Sequence, residues 1–128
     1  MRNLLFIFLG SGFGGMLRYG IQRGTLLLWG SAFPYGTFFI NLTGSFLAGL
    51  LFIFISTRAH LSVQLTSLLI IGFLGGYTTF SGFSLEILSF FERGISLIAL
   101  AYIFLSVFFG IAFCFLGISV GKSLFLTH

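Results

Sequence analysis

Gly72-Phe73-Leu74-Gly75-Gly76-Tyr77-Thr78-Thr79-Phe80-Ser81-Gly82-Phe83-Ser84 is the stretch on which the reading of this chain turns. It lies within an uncharged run from Ala59 to Leu85 and sets four glycines and two adjacent threonines near the middle of an otherwise apolar helix. Glycine alone costs a helix roughly 1 kcal/mol relative to alanine. A break is therefore expected. In a bilayer, non-helical backbone survives only where protein or a wet cavity satisfies its N–H and C=O groups. Carbonyls freed at such a break favour a cation, and amides freed at the start of the second half-helix favour an anion.

The composition around this stretch places the chain in lipid. Of its 128 residues, 58% are hydrophobic and 6% charged, whereas a water-soluble domain carries roughly 25% charged residues. Crossing a hydrocarbon core takes roughly 20 apolar helical residues. The uncharged runs Asn3 to Leu17, Gly24 to Thr57, Ala59 to Leu85 and Gly94 to Gly121 give four spans, at about 4–21, 35–57, 61–91 and 95–120, in a single transmembrane domain. The fold class is an all-α integral membrane protein with its third helix broken near mid-membrane. The first span has a basic start like a secretory signal, but it lacks an Ala-x-Ala cleavage pattern and three more spans follow, so it is expected to be retained.

Polar residues recur within the spans at helical spacing. Thr37, Asn41, Gly44 and Ala48 share one face of the second, with Ser45 at its margin. An Asn amide facing lipid has no partner, so Asn41 must turn toward another helix or toward water. In the fourth span Tyr102, Ser106, Gly110, Phe113 and Gly117 form a stripe that reads equally as a polar path or a packing seam. Past the expected break, Phe80 and Phe83 alternate with Ser81 and Ser84. An aromatic ring is positive at its edge, so ring edges beside hydroxyls suit a small bare anion. Glu86, well inside the third span, is either functional or solvated at the interface, and Arg18, near the expected end of the first, can snorkel toward an interface.

Several other signals carry no chemistry. Gly10, Gly12 and Gly15 spell G-x-G-x-x-G, but no strand precedes them and no acid follows at the required distance. His60 and His128 form no metal-ligand cluster, and the lone Cys114 reads as a small hydrophobe. Without a nucleophile, base and orienting group together, an enzyme is not expected. The net charge of +4 suits anionic lipid headgroups rather than nucleic acid.

Four spans put both termini on one side. That side carries Arg2, Arg58 and Lys122, and the other Arg18, Arg23 and Arg93, a tie of three against three. Orientation follows an excess of Lys and Arg on the cytoplasmic side. A level count predicts insertion both ways, and hence an antiparallel pairing of two copies. So small a bundle is also expected to associate, and the small-residue pairs Gly10/Gly14, Ser11/Gly15 and Gly117/Gly121 permit close helix approach.

Three segments together resemble the signature segments of the Fluc (CrcB) fluoride channels: Gly12-Phe13-Gly14-Gly15-Met16-Leu17-Arg18-Tyr19, Gly36-Thr37-Phe38-Phe39-Ile40-Asn41-Leu42-Thr43-Gly44-Ser45-Phe46, and Gly72 to Ser84 continued by Leu85-Glu86. The resemblance implies a dual-topology antiparallel homodimer in the bacterial inner membrane, with two pathways for passive, fluoride-selective export. Hydrofluoric acid enters cells neutral and dissociates in the more alkaline cytoplasm, and a negative-inside potential drives the trapped anion out through an open pore.

Carried onto this chain, the resemblance makes Phe80 and Phe83 the paired rings bordering the fluoride path and Asn41 a polar residue lining it. Ser81, Thr79, Tyr102, Ser106 and Glu86 become further polar pore residues, Arg18 the arginine of an aqueous vestibule, and Gly75 and Thr78 the carbonyls that hold a structural sodium ion at the dimer centre. Gly82 and Gly110 depart from the family pattern, in which Thr and a hydroxyl residue usually stand. The alternative is a small proton-coupled multidrug exporter, but that requires a carboxylate in the first span, which has none.

Overall fold

The computed structural model describes residues 2–58 and 62–126. Leu61, the expected start of the third span, and His60 and His128 lie outside them. Among the described residues every regular element is helical: α1 Arg2–Trp29, α2 Tyr35–Ser56, α3 Val63–Thr66, a π-helical segment Ser67–Leu74, α4 Gly75–Tyr77, α5 Phe80–Glu92 and α6 Ser96–Phe125. Four stretches among the described residues are long and apolar enough to cross a membrane, Asn3–Trp29, Tyr35–Ser56, Val63–Glu92 and Ser96–Phe125. Even the shortest would reach about 33 Å at the helical rise per residue, enough for a hydrocarbon core.

α1 continues well beyond the expected end at residue 21, and α6 beyond 120. Arg18, Arg23 and Lys122 bound the apolar runs without ending the helices, because straight-chain basic residues are good helix formers. What stops α1 is Gly30, at φ +75° with its N–H on Leu26 O at 2.9 Å, followed by Pro34. The α5–α6 turn uses Gly94 in the same way. Its φ is +73°, and the Ile95 amide reaches back to Phe90 O at 3.0 Å, closing the carbonyl end of α5.

Helical geometry in the third stretch stops at Tyr77 and restarts at Phe80. Thr78 (φ −81°, ψ 159°) and Thr79 (φ −149°, ψ 118°) are extended. The Thr79 side chain then caps the new helix by accepting from Gly82 N at 3.0 Å. The π-helical turns that precede this point were not legible in the sequence.

Glycines set the helix packing. A Cβ on Gly10 would lie 2.8 Å from Phe73 N, and one on Gly14 2.8 Å from Tyr77 N, so α1 lies backbone to backbone along the third stretch. On the other side, a Cβ on Gly49 would lie 2.9 Å from Ile118 N and one on Gly117 3.0 Å from Leu50 N, which binds α2 to α6. The small-residue pairs Gly10/Gly14 and Gly117/Gly121 thus serve contacts within the chain, while Gly15 has open space around its Cβ position. The buried cluster of Phe83, Phe90, Ala99 and Tyr102, with Phe33 and Phe38 packed against it, ties α5 to α6 and to the start of α2. Much of the remaining surface is apolar, as helices facing lipid require.

Candidate functional site

Two concavities flank α2 one helical turn apart. The first, of about 460 Å³, is bordered by Gln22, Thr37, Glu86, Ser89, Phe90 and Arg93. The second, of about 360 Å³, is a groove whose lining includes Asn41, Ser45, Thr79, Phe80, Phe83 and Ser106. Thr37 therefore faces one and Asn41 the other, from the face of α2 that the sequence marks as polar.

Asn41 turns toward the interruption. Its Nδ2 donates to Thr79 O at 3.1 Å, and its Oδ1 accepts from Thr79 N at 3.0 Å. In an unbroken helix that amide would close onto Gly75 O, so the Asn41 side chain stands in for a helical hydrogen bond. One N–H of its amide group remains to face the groove. The polar-clamp reading and the lining reading of Asn41 both describe this geometry.

The rings are close but unequally covered. Phe80 and Phe83 have centroids 5.9 Å apart with planes inclined at 48°. Phe83 is buried, while Phe80 is 80% exposed. Ser106, from α6, has its hydroxyl buried with no partner and lines the same groove. An orphaned hydroxyl in such a place is costly unless a ligand or water meets it. Thr79 Oγ1 stands 3.5 Å from Ser81 Oγ, but Ser81 itself is exposed and borders neither concavity.

Phe83 links the groove to the larger cavity. Its ring meets that of Tyr102 edge-on at 5.0 Å, and the Tyr102 hydroxyl donates to Glu86 Oε2 at 2.8 Å. Thr37 Oγ1 donates to Glu86 Oε1 at 2.6 Å. Glu86 thus has protein donors on both oxygens while also bordering the larger cavity. Gln22 Nε2 extends the chain by donating to Thr37 Oγ1 at 3.1 Å. Thr37 stood out in the sequence only as part of a stripe and Gln22 not at all. Gln22 fell just past the expected end of the first span, beside Arg23, so no local rule demanded a partner for it; only the continuation of α1 to Trp29 places it within a span.

Arg18 has a partner within the chain. It stands mid-helix in α1, donates from Nη1 to Thr78 O at 3.2 Å, and borders neither concavity. The cation beside the larger cavity is Arg93, whose guanidinium carbon lies 5.8 Å from the Phe90 ring centroid. This pairing also bears on sodium. Gly75 O has lost its helical donor to Asn41, which fits a carbonyl ligand. Thr78 O already accepts from Arg18, so it fits only through its second lone pair and beside a like charge. Among the described residues no group of His, Cys, Asp and Glu could hold a metal ion.

Comparison with known proteins bears on this arrangement. Residues 5–118 match the family model described as CrcB-like protein, Camphor Resistance (CrcB). The chain belongs to the CrcB family. Among its relatives in that family is a protein of Coxiella burnetii named fluoride-specific ion channel FluC, 50% identical over 123 residues, which are 95% of this chain and 99% of the relative. Proteins of the same name from Allorhizobium ampelinum and Agrobacterium fabrum are 42% and 39% identical over 125 residues, 98% of this chain and 100% of each relative. The CrcB match covers all the residues of both concavities.

Proposed function

We propose that this chain is a fluoride-selective channel of the multi-pass type, exporting the ion passively across a bacterial inner membrane. The groove carries the proposal. It joins an unpartnered Ser106 hydroxyl, a spare Asn41 N–H and the Phe80–Phe83 pair on one surface. Donors and ring edges of this kind replace the water around a small anion, and a bare halide needs such replacement in a medium without water. The Thr37–Glu86–Tyr102 cluster continues the polar surface toward the larger cavity.

The active unit in this proposal is an antiparallel homodimer with two pathways, and the interruption at Thr78 and Thr79 lies at mid-membrane. Supporting it, Phe80 is 80% exposed in the single chain, so the groove lacks a wall that a second copy would supply. With Arg18 drawn to Thr78, the remaining cations that bound the apolar runs stand at three against two, still close enough to level for insertion both ways. Gly75 and Thr78 of two copies would together hold a sodium ion, which would offset the repulsion between the converging carbonyl dipoles and stiffen the contact. The exporter alternative gains nothing, because α1 contains no carboxylate.

Protein reconstituted in fluoride-loaded liposomes should release fluoride rapidly to an electrode with no proton gradient, and release chloride far more slowly. Phe80→Ile keeps an apolar side chain but removes the ring edge, and its fluoride flux should fall to background. Parent liposomes that hold their fluoride, or flux that requires a proton gradient, would refute the proposal.

A further inference from the structure

The geometry points to Gln22 as a positioning residue that keeps the Thr37 proton on Glu86. This rests on the channel reading for its consequence, but on the hydrogen-bond pattern for its logic. Thr37 is 1% exposed, and its hydroxyl has one proton and two lone pairs. The proton goes to Glu86 Oε1 at 2.6 Å, so whatever else approaches Oγ1 must donate. Gln22 Nε2 does so at 3.1 Å, from 15 residues away in sequence.

The comparison with other hydroxyls in the chain makes the point. Thr43, Ser45, Thr78 and Ser84 each turn back and donate to the carbonyl four residues earlier, at 2.8, 2.7, 2.8 and 2.9 Å. That is the default of a helical hydroxyl in an apolar setting. Thr37, in the first turn of α2, has no such carbonyl: Phe33, four residues earlier, precedes the helix and its O already accepts from Tyr35 N at 2.9 Å. The Thr37 hydroxyl reaches across to α5 instead, and it alone of these five receives an amide donor from another helix. Gln22 stabilises the outward arrangement by occupying the lone pair that would otherwise be empty. Without that donor the Thr37 hydroxyl is free to rotate its proton away from α5, and Glu86 Oε1 loses its partner. Gln22 also borders the larger cavity, as Glu86 does, so the amide acts through Thr37 on a carboxyl that lines the same space.

Two substitutions separate donation from packing. Gln22→Met keeps the length of the side chain and removes the donor. Gln22→Glu keeps the shape and offers an acceptor, which draws the Thr37 proton away from Glu86. The readout is the Glu86 carboxyl band, isolated by subtracting the infrared spectrum of the Glu86→Gln protein, together with fluoride flux from liposomes. Both Gln22 variants should shift that band and lower flux by about tenfold, the loss expected of one hydrogen bond. In a Thr37→Val background, Gln22→Met should add nothing further, because its intermediary is gone.

A Glu86 band that stays in place in both variants would overturn the assignment, whatever the flux, since packing alone does not act on the carboxyl. Losses that multiply in the double variant would overturn it as well. If the parent passes no fluoride, the channel reading fails, and the band shift still decides the role of Gln22.

Discussion

Asn41→Asp puts the geometry at the interruption to its sharpest test. The parent side chain gives one hydrogen bond to Thr79 O and takes one from Thr79 N, at 3.1 and 3.0 Å. Aspartate retains the acceptor and turns a second carboxylate oxygen onto the Thr79 carbonyl. The lost hydrogen bond and the stranded carbonyl together cost about 2–4 kcal/mol, which corresponds to a ~30-fold to ~1,000-fold loss in an equilibrium. The new negative charge opposes an anion at about 4 Å by a further ~4 kcal/mol at an effective dielectric of ~20. Fluoride efflux from liposomes, measured by electrode, should therefore fall below detection. Asn41→Leu, which loses both bonds without adding charge, should lose stability in a thermal scan in detergent as well as flux. Efflux from a well-folded Asn41→Asp protein within threefold of the parent would show that neither the clamp nor its charge state matters.

Three further outcomes follow from the packing. Tyr102→Phe preserves the ring contacts with Phe83 and Phe33, at 5.0 and 5.1 Å, but removes the donor to Glu86 Oε2; flux should drop about tenfold or more with the helical circular dichroism unchanged. Gly110→Ser should be accommodated, since the nearest atom to the new Cβ is Ser45 Oγ at 3.7 Å, whereas Gly82→Thr meets Thr79 Oγ1 at 3.1 Å, so the side chain that caps α5 must shift slightly to admit it. The thermal midpoint of the second, not the first, should fall. Gly117→Val forces α6 away from the backbone of α2 around Phe46 and Leu50, and should cost about 1–3 kcal/mol or more, seen as loss of monodisperse protein by size exclusion.

How much of this was legible beforehand depended on the range of the physics involved. The four spans, the polar face of α2 carrying Thr37 and Asn41, and the weakness of the helix around Gly75 to Thr79 follow from rules that act within a turn or two: the cost of charge in lipid, the period of the helix, and the poor helix propensity of glycine. Helix ends were less legible. Arg23 interrupts apolar sequence without interrupting the helix, which continues to Gly30, where a positive φ ends it.

Partner choice belonged to the tertiary structure alone. Arg18 was readable as a membrane cation, but its attachment to Thr78 O, 60 residues away, depends on Gly10 and Gly14 bringing α1 against the third stretch. The Thr37–Glu86 bond spans 49 residues, and nothing local to either residue names the other. Sequence by itself determined that each buried polar group must find a partner, because an apolar surrounding imposes that demand residue by residue. Which partner Arg18, Thr37 and Asn41 found, and that Ser106 found none within the chain, was decided by the crossing of the helices, because a hydrogen bond forms only over a few ångströms and chain separation says nothing about that distance.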